Sequence, residues 1–174
     1  MATQRLRLER PPPSNYSGWL AAACIPNNNV VWLDTQSVSF NAQPGVMEAS
    51  LVASVASALV HCGASVQQIG VIAPYRQQVA TLASAAHLPK GIVPSTVDRY
   101  QGGEVDALIL ALSVVGAEAT SLLSDWRRIN VAVTRARRKM IIISPLQQDT
   151  NGSVIHTLVT TCIRKGWVHS VSSS

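Results

Sequence analysis

Four short runs are apolar at nearly every position: Val30-Val31-Trp32-Leu33, Ile69-Gly70-Val71-Ile72-Ala73, Ala107-Leu108-Ile109-Leu110-Ala111-Leu112 and Met140-Ile141-Ile142-Ile143. A strand with one wet face alternates polar and apolar residues. A strand covered on both faces does not, and that is the habit of parallel sheets, whose connecting helices lie on both sides. The intervening segments supply such helices. Val52, Val55, Leu59 and Cys62 recur at helical spacing and predict a helix from Glu48 to His61, with Gly63 as its stop. Further helices are expected over Arg76 to Ala86, Leu122 to Ala136 and Ser153 to Lys165. Strands are expected near Pro94 to Val97 and from Ala107 to Val115. Strand and helix in alternation predict a three-layer α/β/α domain with a mainly parallel sheet.

With 174 residues, 47% hydrophobic and 13% charged, the chain reads as one folded domain and not as a disordered segment. Residues 1 to 18 read as a flexible leader, 19 to 168 as the domain and 169 to 174 as a tail. Cys24, Cys62 and Cys162 form no CxxC pair and the histidines lack ligand spacing, so neither a disulfide frame nor a metal site is predicted. Ala49 to Val66 comes nearest to a membrane span, but it holds four serines and His61, which favours a buried helix. Met1 to Arg10 lacks the apolar stretch of a secretory signal; its arginines leave a mitochondrial presequence open.

Ligands of parallel sheets gather outside the carboxyl ends of the strands. Three polar segments are expected there: Pro74 to Gln78, Asp98 to Glu104 and the surroundings of Arg135. Six of the 14 basic side chains fall between Arg127 and Lys139, which with a net charge of +5 allows a polyanion partner. In the helix ending at Ala136, Leu122, Trp126, Ile129, Val133 and Ala136 make a buried stripe, and Arg128 and Arg135 share a flank. Small neighbours at Ala132, Val133 and Ala136 leave the Arg135 fork open to a phosphate. Arg137, Arg138 and Lys139 read as a solvated cationic face. Asp34, at a strand end, reads as a turn former.

Three stretches then stand out together: Ile72-Ala73-Pro74-Tyr75-Arg76-Gln77-Gln78, Thr96-Val97-Asp98-Arg99-Tyr100-Gln101-Gly102, and Asp125-Trp126-Arg127-Arg128-Ile129-Asn130-Val131-Ala132-Val133-Thr134-Arg135-Ala136. In order and spacing they resemble motifs IV, V and VI of superfamily 1 helicases, in their C-terminal RecA-like domain. Within that superfamily the chain looks like the DNA replication ATP-dependent helicase/nuclease family, also at Trp19-Leu20, Pro26-Asn27-Asn28, Val46 and Glu48-Ala49.

The resemblance implies a P-loop-type motor domain that shares ATP and Mg²⁺ with a separate first motor domain and binds single-stranded DNA, in nuclear replication and repair. It implies that Tyr75 stacks on adenine, that Arg76 and Arg135 converge on the γ-phosphate with Arg135 as arginine finger, and that Gln101, Gly102 and Glu104 line the nucleotide. Thr96 would meet a phosphate of the strand, and Asp98, Arg128 and Asn130 would brace the site. Gly103 stands where the family commonly has a basic residue. None of the ten glycines is followed by lysine, so the chain has no G-x-x-x-x-G-K-[ST] loop. The chain alone is therefore expected to be inactive and to bind no metal by itself. Two other readings fit the same residues: a non-catalytic nucleic-acid-binding or regulatory fragment, or an RNA helicase relative.

Overall fold

The computed structural model describes residues 6–38, 44–85, 87–100, 103–112, 126–146 and 154–172. Six strands, β1 (Val30–Asp34), β2 (Ile69–Ala73), β3 (Ser95–Thr96), β4 (Val105–Ala111), β5 (Ala136–Ser144) and β6 (Val168–Ser170), form one sheet in the order β3-β2-β4-β5-β1-β6. Every pairing among them is parallel. Helices α1 (Gly18–Cys24), α2 (Pro44–His61) and α3 (Arg76–Ala85) cover one face, and α4 (Trp126–Val133) and α5 (Val154–Lys165) the other. The domain is a three-layer α/β/α fold with the parallel sheet that the apolar runs predict, of the RecA-like type that the resemblance implies.

Successive strand residues serve the two faces in turn. Val31 and Leu33, Ile109 and Ala111, Ile141 and Ile143 pack under α2. Trp32, Leu108, Leu110 and Ile142 pack under α4 and α5. Helix α2 begins four residues before the expected Glu48 and buries Val52, Val55, Leu59 and Cys62. It ends in a Schellman turn: Ala64 N–H donates to the Leu59 carbonyl and Gly63 N–H to that of Val60, both at 3.0 Å. Gly63 has φ +121°, and a Cβ there would meet the Arg7 carbonyl oxygen at 2.8 Å, so only glycine fits.

That contact revises the chain's ends. Leu8 is buried in the core and the Arg10 N–H donates to the Cys62 carbonyl at 3.1 Å, so residues 6–10 lie packed along the end of α2 and are no loose leader. At the other end, β6 adds a strand beside β1, and buried Val171 donates its N–H to the Asp34 carbonyl at 2.9 Å. The expected tail completes the sheet. Asp34 does form a turn: its Oδ1 accepts from Gln36 N–H at 3.0 Å and from Leu146 N–H at 2.9 Å. No described helix is long and apolar enough to cross a membrane.

Candidate functional site

In an all-parallel sheet every connection leaves from the carboxyl edge and must return to the amino edge. The loop from Thr96 to Val105 makes one such return, and α4 with the Thr134–Arg135 turn makes another. Arg135 therefore lands at the amino edge, where its carbonyl accepts from Val105 N–H at 2.9 Å. Glu104 lies on the same edge, with Oε2 accepting from Arg137 Nε at 2.8 Å. An open cleft of about 330 Å³ runs from the start of that loop toward this edge and is lined by Val97, Asp98, Tyr100, Arg127, Arg128, Val131 and Arg135.

The side chains of the cleft explain its sign and shape. Arg128 donates to Asp98 Oδ2 at 2.5 Å, tying the loop to α4. Arg135 Nε donates to the Val131 carbonyl at 3.2 Å, which turns the guanidinium along the helix end. Three guanidiniums face one carboxylate, so the cleft favours an anion. Tyr100 lies across its floor because β2 has no side chain at Gly70: a Cβ there would come within 2.6 Å of the Tyr100 hydroxyl. Burial pushes the Tyr100 phenol up from its ordinary range, so it stays protonated at neutral pH.

Tyr75 and Arg76 follow β2 at the carboxyl edge. Tyr75 is half-buried and Arg76 exposed, and the Tyr75 carbonyl accepts from Val79 N–H at 3.0 Å, starting α3 at once. Thr96 pairs with Ala73 at the same level. It is 6% exposed, and its Oγ1 accepts from Arg99 N–H at 3.3 Å, leaving the hydroxyl proton for another acceptor.

Register sets the distance between the two groups. Ile72 stands opposite Leu110, which puts Ala73 level with Ala111, whereas Ala136 stands opposite Val105. Val105 to Ala111 is six residue steps, roughly 20 Å along the strands, more than two arginine side chains can bridge. The expected convergence of Arg76 and Arg135 on one phosphate is therefore not what this fold gives, and Tyr75 is equally remote from Glu104. The return rule for parallel strands is the reason: of the three polar segments expected at the carboxyl edge, only Pro74 to Gln78 and the start of the Asp98 loop are there.

Asn130 stands exposed on α4, with no side-chain hydrogen bond among the described residues. Gln101 and Gly102 lie outside the described residues. Of the basic run, Arg137 and Arg138 are exposed as expected of a solvated face, and Lys139 is not. Between Val105 and Ala107 the ladder shifts register, with three steps on β5 against two on β4, and this bulge lets neighbouring Arg137 and Arg138 both face outward. They pair with Glu104, at 2.8 Å, and Asp106, at 3.8 Å. Lys139, past the bulge, points inward and is 1% exposed. Its Nζ donates to the carbonyls of Ile25, at 2.9 Å, and Asn28, and burial lowers it to about 8 despite the opposing pull of Cys24. The acids at Glu104 and Asp106, at the head of an apolar run, were the sequence signal that the basic run opposite them is a strand. Among the described residues no three His, Cys, Asp or Glu side chains cluster to hold a metal.

Residues 3–147 match a family described as an AAA domain. The DNA replication ATP-dependent helicase/nuclease of Bos taurus is 38% identical over 149 residues, 80% of this chain and 14% of that protein. Its counterpart in Arabidopsis thaliana is 34% identical over 140 residues, 75% of this chain and 10% of that protein. The DNA-binding protein SMUBP-2 of Mesocricetus auratus is 35% identical over 140 residues, 79% of this chain and 14% of that protein. The chain thus spans a small part of each relative's length. With three motif stretches in helicase order on an all-parallel RecA-like sheet, and a family match that covers most of its length, the chain belongs to the AAA domain family of superfamily 1 helicases.

Proposed function

We propose that the chain is the second motor domain of an ATP-dependent DNA helicase of the helicase/nuclease type, and that it uses both ends of its sheet. The observation that carries this reading is the cleft in which Arg135 stands with Arg127 and Arg128 beside Tyr100. Guanidinium forks are donors only and match phosphate oxygens in pairs. Arg135 is the arginine finger, offsetting charge that develops on the transferred phosphoryl group. Glu104, with Gln101 and Gly102, lines the nucleotide, while the Asp98–Arg128 pair and Asn130 brace the site. Tyr75 and Arg76 are reassigned from the nucleotide to the single strand, which they meet with Thr96 at the carboxyl edge.

The cleft fits the phosphates of ATP only in part. It offers cationic donors, but the sequence has no glycine loop ending in lysine to cradle them. A first motor domain supplies that loop and the Mg²⁺ ligands, and closure of the two domains couples hydrolysis to movement along the strand. By likeness to replication proteins, the work is assigned to the nucleus.

Complementation tests the reading. The purified chain alone should hydrolyse ATP negligibly, and a separately expressed first motor domain of a relative should restore turnover stimulated by single-stranded DNA. Arg135→Ala in that mixture should lower kcat by about 10³-fold or more. Robust turnover by the chain alone, or a mixture indifferent to Arg135→Ala, would refute it.

A further inference from the structure

Glu48 and Gln78 belong neither to the arginine cleft nor to the Arg76 contact, and the fold brings them together. Glu48, near the start of α2, is a carboxylate only 2% exposed. Gln78 Nε2 donates to Glu48 Oε2 at 2.5 Å and to the carbonyl of Ala111, the last residue of β4, at 3.1 Å. Gln78 is the third residue of α3, inside the turn that opens at the Tyr75 carbonyl. Its amide can be seated only one way, because turned over it would set oxygen against a carboxylate and a carbonyl. Gln78 Oε1 has no partner among the described residues, so nothing there competes for the other orientation.

A carboxylate held out of water is costly unless its bonds do something a neutral side chain would not. Here the bonds join three elements, α2, α3 and the end of β4, at the base of the turn that carries Arg76. The charge also lies beside the amino end of α3, where the helix dipole favours it. We infer that Glu48 is a positioning residue for nucleic-acid binding. Through Gln78 it fixes the first turn of α3 against β4, and so sets where Tyr75 and Arg76 meet the strand, without touching the strand itself. This rests on the assignment of Arg76 to the single-stranded DNA edge.

The test is a fluorescence-anisotropy titration of the full chain with labelled oligothymidylate at several salt concentrations. Arg76→Ala should weaken binding and lower the salt slope by about 0.7, as loss of one phosphate contact to a single strand does. Glu48→Ala should weaken binding about three- to tenfold. Glu48→Gln, which can still accept from Gln78, should restore most of that loss. In an Arg76→Ala background Glu48→Ala should add clearly less than it does alone, the remainder of the loss coming through Tyr75, the mark of two residues acting largely through one contact. If Arg76→Ala leaves binding unchanged, the edge assignment fails and takes the inference with it. If Arg76→Ala weakens binding but the Glu48→Ala loss is absent, multiplies independently or persists in Glu48→Gln, the inference alone is overturned. Should Glu48→Ala not fold, Gln78→Ala breaks the same bond from the half-exposed side and is read in the same way.

Discussion

Lys139 shows how one side chain can be cationic by sequence and structural by position. Its stem crosses the core side of β5 and its amine closes the Ile25 to Asn28 turn by donating to two carbonyls. Burial lowers its pKa from 10.5 to about 8. Between those values the folded chain has released a proton that the unfolded chain still holds, so stability rises with pH across that window. Cys24 has the opposite effect: burial and Cys62 push its thiol from 9.0 to about 12, so the stability it contributes is present below 9 and lost above it. From pH 8 to 9 the lysine acts alone of the two. Urea unfolding of the parent chain should show a gain of about 1 kcal/mol over that step, and Lys139→Met should show none. Amide exchange at Asn28, whose N–H donates to the Ile25 carbonyl, should quicken in the variant.

Among the elements, β2 and the loop after β3 depend on each other at Gly70. An alanine there would put its Cβ 2.6 Å from the Tyr100 hydroxyl and 3.0 Å from Val105 Cγ2. Gly70→Ala should therefore destabilise the chain by about 1–3 kcal/mol, as overpacking does, and should force Tyr100 into the arginine cleft. Adding Tyr100→Phe removes the nearest clashing atom and should recover part of the loss; thermal melts of the single and double variants check this. The apolar runs made the central strands legible in advance, and Ile69–Ala73 matches its expected bounds. Legibility failed where period changed without a change in composition. The basic run from Arg137 read only as a solvated cationic face, because nothing local marks it as a bulged strand; the acids that pair with it, Glu104 and Asp106, are over thirty positions away. Leu8 was illegible for a similar reason, since its burial depends on the groove beside Gly63 and not on its own neighbours.

At the scale of the whole molecule, the sheet keeps two kinds of chemistry apart by its own length. Motif order along the chain suggested that Arg76 and Arg135 act on one phosphate. Spacing in sequence carries no sign of which strand end a residue reaches, and the parallel register sends these two to opposite edges. On the proposed function, nucleotide is felt near one edge and the strand at the other, with β4 running between them. The consequence can be measured in the complemented system. Arg76→Ala should raise the concentration of single-stranded DNA needed for half-maximal ATPase about tenfold, with the loss falling on that KM and not on kcat at saturating DNA. Arg135→Ala should do the reverse, depressing kcat while the affinity for the strand, read by anisotropy, stays within about twofold of the parent. Were Arg76→Ala to depress kcat at saturating DNA as Arg135→Ala does, Arg76 would belong with the phosphate after all, and the domain would have to bend its two edges toward one partner surface to bring it there.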